Sequence, residues 1–137
     1  MNGVVGNNFL VTQGDSALDC IIHGRTINIR HSDGRYLNSG GPNGELRLGA
    51  ASEADFYEWN NNTREYVCTQ NGDSVSLKSL SLNSFIDIGG SSAFALAATD
   101  SSESGADLTL VLNNPNFKLL DPRLNIDLFI AILSANY

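Results

Sequence analysis

Residues 26–37 read Thr26-Ile27-Asn28-Ile29-Arg30-His31-Ser32-Asp33-Gly34-Arg35-Tyr36-Leu37. Ile27 and Ile29 alternate with Asn28 and Arg30, so apolar side chains fall on one face of an extended segment and polar ones on the other. Asp33-Gly34 then supplies a turn, with a glycine free to take positive φ. Tyr36-Leu37 resumes an extended segment. Downstream, Gly44-Glu45-Leu46-Arg47-Leu48 alternates again, and Asp55-Phe56-Tyr57-Glu58-Trp59 brings an aromatic strand. The stretch therefore predicts a strand, a hairpin and a closing strand.

The same grammar extends in both directions. Ser74-Val75-Ser76-Leu77-Lys78, Phe85-Ile86-Asp87-Ile88 and Asp107-Leu108-Thr109-Leu110-Val111-Leu112 are short runs with mostly alternating polarity. Asn43-Gly44, Asn71-Gly72 and Gly89-Gly90 punctuate them. Helical periodicity is nearly absent. About twelve strands spaced near ten residues predict an all-β single domain over residues 1–137. Two internal echoes appear. Residues 27–60 align with 75–113 at an offset of roughly 50 residues, which predicts a repeated four-strand unit. Phe9-Leu10-Val11-Thr12-Gln13 aligns with Tyr66-Val67-Cys68-Thr69-Gln70, which predicts a strand in each.

From Ile29 through Trp59 the chain resembles a β-trefoil repeat, the unit shared by fascin, fibroblast growth factors and ricin-type lectin domains. The resemblance covers residues 26–113. It implies a β-trefoil of about twelve short strands with pseudo-threefold repeats, the third unit split between the termini. A jelly-roll or other β-sandwich is the runner-up. The implied core includes Ile29, Tyr36, Leu37, Leu46, Leu48, Phe56, Leu77, Ile86, Ile88, Leu96, Leu110 and Leu119. The functions carried by the resemblance are a lectin-like role, protease inhibition through a protruding loop, or a fascin-like protein-interaction role. Ricin-type lectins often carry Gln-x-Trp, whereas this chain has Tyr57-Glu58-Trp59 at the matching place.

Charge narrows the partners. Fifteen acidic and eight basic residues give a formal net charge of −7. That field repels nucleic-acid phosphates and anionic lipid, and the cations are scattered. The longest apolar run, Leu128-Phe129-Ile130-Ala131-Ile132-Leu133, is too short to span a bilayer. No signal peptide is visible in the first residues, so a cytoplasmic location is expected, with a secreted form left open. Cys20 and Cys68 are expected as buried, reduced thiols; a disulfide between them would instead point to an oxidising compartment. Neither cysteine has metal-ligand spacing with His23 or His31, and no cofactor is expected. Asn61-Asn62-Thr63 is a glycosylation sequon.

Nothing in the sequence builds a nucleophile beside a base, so no enzymatic activity is expected. Asp100-Ser101-Ser102-Glu103-Ser104-Gly105 resembles the start of a calcium loop, but Val111 stands at the twelfth position, where a bidentate carboxylate belongs. A Ser-rich surface turn is the reading adopted. For a carbohydrate or glycoprotein glycan, stacking requires an exposed aromatic with polar groups around it. Tyr57 and Trp59 share one face of a strand: pointed inward, that face makes both core, whereas Trp59 at the strand end beside Asn60-Asn61-Asn62 would form a shallow site. With Asn60, and with Asp33, Arg35 and Asn38 of the same unit, they form the expected sugar-binding set. For an inhibitor, residues 40–44 or 100–106 are the candidate loops.

Overall fold

The computed structural model describes residues 9–13, 16–38, 46–81, 83–88, 94–96, 108–113, 116–121 and 126–127. Its strands are β1 (Phe9–Gln13), β2 (Ser16–Ala17), β3 (Arg25–His31), β4 (Tyr36–Asn38), β5 (Arg47–Gly49), β6 (Tyr57–Asn61), β7 (Ser74–Ser79), β8 (Ser84–Ile88), β9 (Phe94–Leu96), β10 (Leu108–Asn113), β11 (Asn116–Asp121) and β12 (Ile126–Asp127). Among the described residues the one helical element is a single 3₁₀ turn, Ala51–Glu53.

Six strands form a closed antiparallel ring. β3 pairs with β6, β6 with β7, β7 with β10, β10 with β11 and β11 with β1. Pairing of β1 with β3 then shuts the ring. Alternation fills it. Each ring strand sends two buried residues into one core: Phe9 and Val11, Ile27 and Ile29, Tyr57 and Trp59, Val75 and Leu77, Leu108 and Leu110, Phe117 and Leu119. Burial of a side chain of this size contributes roughly 1.5–3 kcal/mol against the entropy of ordering the chain.

The outer strands continue from the ring. β4 and β5 form one hairpin, β8 and β9 another, β2 lies on β1, and β12 on β11. Leu37, Leu46, Leu48 and Ile86 from the hairpins join the same core. The β3–β4 turn forms as expected. The Gly34 N–H donates to the His31 carbonyl at 2.9 Å, and Gly34 takes φ +97°, where a Cβ would be strained.

The β-trefoil resemblance is corrected by this topology. The architecture is a closed six-strand antiparallel barrel with outer strands. Among the described residues there are two outer hairpins, β4–β5 and β8–β9, and the two-residue β12 beside β11, so no third hairpin completes a threefold repeat there. The physical reason is that strings such as Tyr36-Leu37 and Leu46-Arg47-Leu48 encode a hairpin locally, and hairpins decorate many barrels. The sandwich alternative fails on the β1–β3 pairing, because a sandwich keeps its sheet edges and a closed ring has none. The all-β reading stands.

Two expectations about individual segments also change. Phe56 is exposed, not core, because it precedes the β6 alternation that turns Tyr57 and Trp59 inward. The echo between residues 9–13 and 66–70 is not structural: the first is strand β1, while the second lies in a loop. The side chains of Ile88 and Leu96, the calcium-like stretch 100–105 and both candidate inhibitor loops lie outside the described residues.

Candidate functional site

The six residues expected to bind sugar are not gathered on one surface. Tyr57 and Trp59 have no exposed area, so neither ring offers a stacking face; this corrects their expected role. Trp59 packs edge-on against Phe117 and donates its Nε1 proton to Thr69 Oγ1 at 3.0 Å. Asn60 stands half-buried beside the start of β3, its amide reaching the Glu58 carbonyl at 3.4 Å. Asp33 and Arg35 lie past the other end of β3, roughly 20 Å of strand away. They are exposed and paired with each other: Arg35 donates from its backbone N and its Nε to the Asp33 carboxylate, at 3.0 and 2.9 Å. Those bonds from Arg35 hold the Asp33 carboxyl well below the usual range.

Asn38 is buried on β4. Its amide nitrogen lies against Gly49, where an added Cβ would come within 2.5 Å of Asn38 Nδ2 and 2.8 Å of Glu53 Oε1. Glu53 is itself held there by accepting the Ala50 N–H at 3.0 Å. Gly49→Ala is therefore expected to destabilise the fold by about 1–3 kcal/mol in denaturant unfolding. An unchanged midpoint would mean that Asn38 moves aside freely.

Beside Ile22, Phe56 and Leu80, two large apolar side chains are presented to solvent from the loop of residues 62–73, between β6 and β7. Tyr66 is 85% exposed and Val67 52%. Sequence reasoning missed this loop because Tyr66-Val67 has strand composition. The available signal was Cys68, one residue further on. Cys20 and Cys68 are joined by a disulfide across a sequence separation of 48, with Cα atoms 5.0 Å apart. This corrects the expectation of two buried, reduced thiols; Cys68 lies at the surface.

Asn61 organises the N-terminal side of the loop. Its Oδ1 accepts the Thr63 and Arg64 N–H groups at 2.8 and 3.0 Å. Its Nδ2 donates to Thr69 Oγ1 at 3.1 Å and Asp73 Oδ2 at 3.0 Å. The sequon asparagine is thus buried with its amide fully engaged, and a glycan there would require this network to break. Arg64 closes on Asp73 through two bonds, Nε to Oδ2 at 2.7 Å and Nη2 to Oδ1 at 2.8 Å, the fork geometry that suits a carboxylate. On the C-terminal side, Thr69 donates its backbone N–H and its hydroxyl to the Ile21 carbonyl, at 2.8 and 2.6 Å.

Between these anchors the backbone of residues 65–67 makes no hydrogen bond to other described residues. The Tyr66 hydroxyl is hydrogen-bonded to the Glu65 carboxylate, which raises its pKa above the ordinary tyrosine value.

Asp73 is the buried electrostatic support. The Arg64 guanidinium, then the Gln70 N–H and the Asn61 amide, hold its pKa at about 2, against a desolvation cost that pushes the other way. The unfolded chain takes up the proton first, so this contribution is complete above about pH 5 and is lost as the pH falls through 2. The difference from 3.8 corresponds to roughly 2 kcal/mol. Unfolding free energies measured between pH 7 and pH 2 should fall accordingly, and Asp73→Asn should flatten that acid slope. An identical slope in the variant would remove Asp73 from the account.

His23 Nδ1 accepts the Asn61 N–H at 3.0 Å, and His31 lies buried against Phe9 with Nδ1 3.0 Å from Asp33. Among the described residues no three His, Cys, Asp or Glu side chains converge as a metal site, and no helix is long and apolar enough to cross a membrane. No family model, no curated protein and no solved structure matches the chain.

Proposed function

We propose that this chain is a non-enzymatic protein-binding module that acts as an endoprotease inhibitor through the loop of residues 62–73, in an oxidising compartment. The observation that carries the reading is a side chain as large as Tyr66 standing 85% exposed on a loop anchored at both ends. A segment braced before it meets a partner presents its exposed ring with little ordering cost on binding. The disulfide supports an extracellular or otherwise oxidising location in place of the expected cytoplasmic one. The net charge of −7 speaks against nucleic acid and anionic membrane as partners.

Carbohydrate binding has lost its aromatic platform with the burial of Tyr57 and Trp59, and the fold resemblance that suggested it is corrected. The test sets a panel of serine, cysteine, aspartic and metallo-endoproteases beside a glycan array. Inhibition of one protease class, weakened in the Cys20→Ser/Cys68→Ser double variant, supports the reading. Glycan binding indifferent to the loop, with no protease inhibited, overturns it.

A further inference from the structure

We infer that the Tyr66–Val67 peptide bond is the bond offered to the protease, and that the target class is serine endoproteases with an apolar primary pocket that accepts an aromatic side chain. The inference rests on the inhibitor reading above and adds the residue, the bond and the enzyme class.

Three observations converge on this bond. First, Tyr66 is the most exposed large apolar side chain described, and it is followed by the half-exposed Val67. A serine endoprotease chooses its bond by the side chain that precedes it, which enters the primary pocket. Second, the backbone of residues 65–67 has its hydrogen-bonding groups unused by the described protein, so they are available to an active-site cleft. Third, both sides of the bond are held independently of it. The side before the bond is held by Asn61 and by the Arg64–Asp73 pair. The side after it is held by the disulfide at Cys68 and by Thr69 on Ile21.

The third observation separates an inhibitor from a substrate. When the enzyme's serine oxygen adds to the Tyr66 carbonyl carbon, the C–N bond to Val67 breaks and the serine proton passes through the enzyme's histidine to the Val67 amine. In an ordinary substrate that amine diffuses away. Here Val67 is one residue from a cysteine tied to Cys20, so the amine stays beside the acyl carbonyl. It can attack, expel the serine oxygen with its proton returned, and restore the peptide bond. Water, which would complete hydrolysis, is kept from the carbonyl by the amine that occupies its path. The disulfide also spans the bond, since Cys20 lies before it and Cys68 after it.

The test measures inhibition constants of the full chain against aromatic-specific, basic-specific and small-residue-specific serine endoproteases and a papain-like cysteine protease. The wild type is expected to inhibit the aromatic-specific enzyme. Tyr66→Gly should weaken that inhibition roughly a hundredfold or more, as for the central anchor of an interface. Its melting temperature should fall by no more than a few degrees, the entropic effect of glycine, because the side chain stands in solvent. Tyr66→Arg should move inhibition to the basic-specific enzyme. After long incubation a fraction of the protein should be one water heavier, run as one band without reductant, and separate with reductant into pieces 1–66 and 67–137. Inhibition that is indifferent to Tyr66, or confined to the cysteine protease, overturns the assignment while leaving the inhibitor reading in place. Inhibition of no protease overturns both. Rapid cleavage at Tyr66–Val67 without inhibition overturns the inhibitory role of the bond.

Discussion

Trp59→Ala is expected to lower the stability of the fold by about 3–5 kcal/mol, the cost of deleting a large aromatic from a closed core. Trp59 has no exposed surface and sits where β6 meets the end of the barrel that carries the loop. Its removal takes away the edge contact with Phe117 and leaves the Thr69 hydroxyl without the indole N–H it accepts. For a chain of this length the loss corresponds to a melting temperature lower by roughly 10–15 °C. Trp59→Phe keeps most of the ring and loses the hydrogen bond, so it should cost about 1–2 kcal/mol. Trp59 is the only tryptophan, so its fluorescence reports this site alone. The native emission should be blue, insensitive to soluble quenchers and unmoved by any glycan. A red, quenchable emission with unchanged melting of Trp59→Ala would return the ring to the surface and reopen a stacking role.

Trp59 also shows which parts of the molecule were legible in the sequence. The alternation of Tyr57 and Trp59 about Glu58 places both on one face, and the barrel buries that face. Ile27 and Ile29, or Val75 and Leu77, were readable in the same way, because a strand's period is a local property. Phe56 shows the limit: it sits next to Tyr57, and only the point at which the strand begins decides which of the two is buried. The topology was less accessible. Tyr36-Leu37 and its neighbours specify a hairpin, but closure of the ring depends on β1 meeting both β3 and β11, contacts that no local string encodes. The loop of residues 62–73 was illegible for a related reason. Tyr66-Val67-Cys68 has the composition of a strand. It is held as a loop by partners distant in sequence, Cys20 and Ile21, and by Asp73 reaching back to Arg64 and Asn61.

Reduction of Cys20–Cys68 is expected to cost about 4 kcal/mol if its whole effect is to restrict the unfolded chain, as loop-closure entropy gives for a separation of 48 residues. Measured values run lower when the unfolded chain keeps residual structure, so the expected range is about 2–4 kcal/mol. The Cys20→Ser/Cys68→Ser double variant removes the bond without a reductant and should melt roughly 6–12 °C below the wild type. The effect has a local part as well as a global one. Cys68 lies at the surface, and Cys20 belongs to a segment whose Leu18 and Ile21 pack on the core. Without the disulfide, Thr69 still holds Ile21 and Arg64 still holds Asp73. Residues 65–68 then become the least supported part of the loop. Hydrogen exchange should therefore accelerate at the Thr69 amide, the hydrogen-bonded N–H next to Cys68, by a larger factor than at β3, β6 and β7, beyond the uniform loss that global destabilisation produces. Titration of the unfolded, unreduced wild type should find no free thiol. Two thiols per chain in that titration, or a double variant as stable as the wild type, would mean that the barrel holds the loop without the bond. Of these two outcomes, the two free thiols would also leave the Val67 amine with no covalent tether after cleavage at Tyr66–Val67.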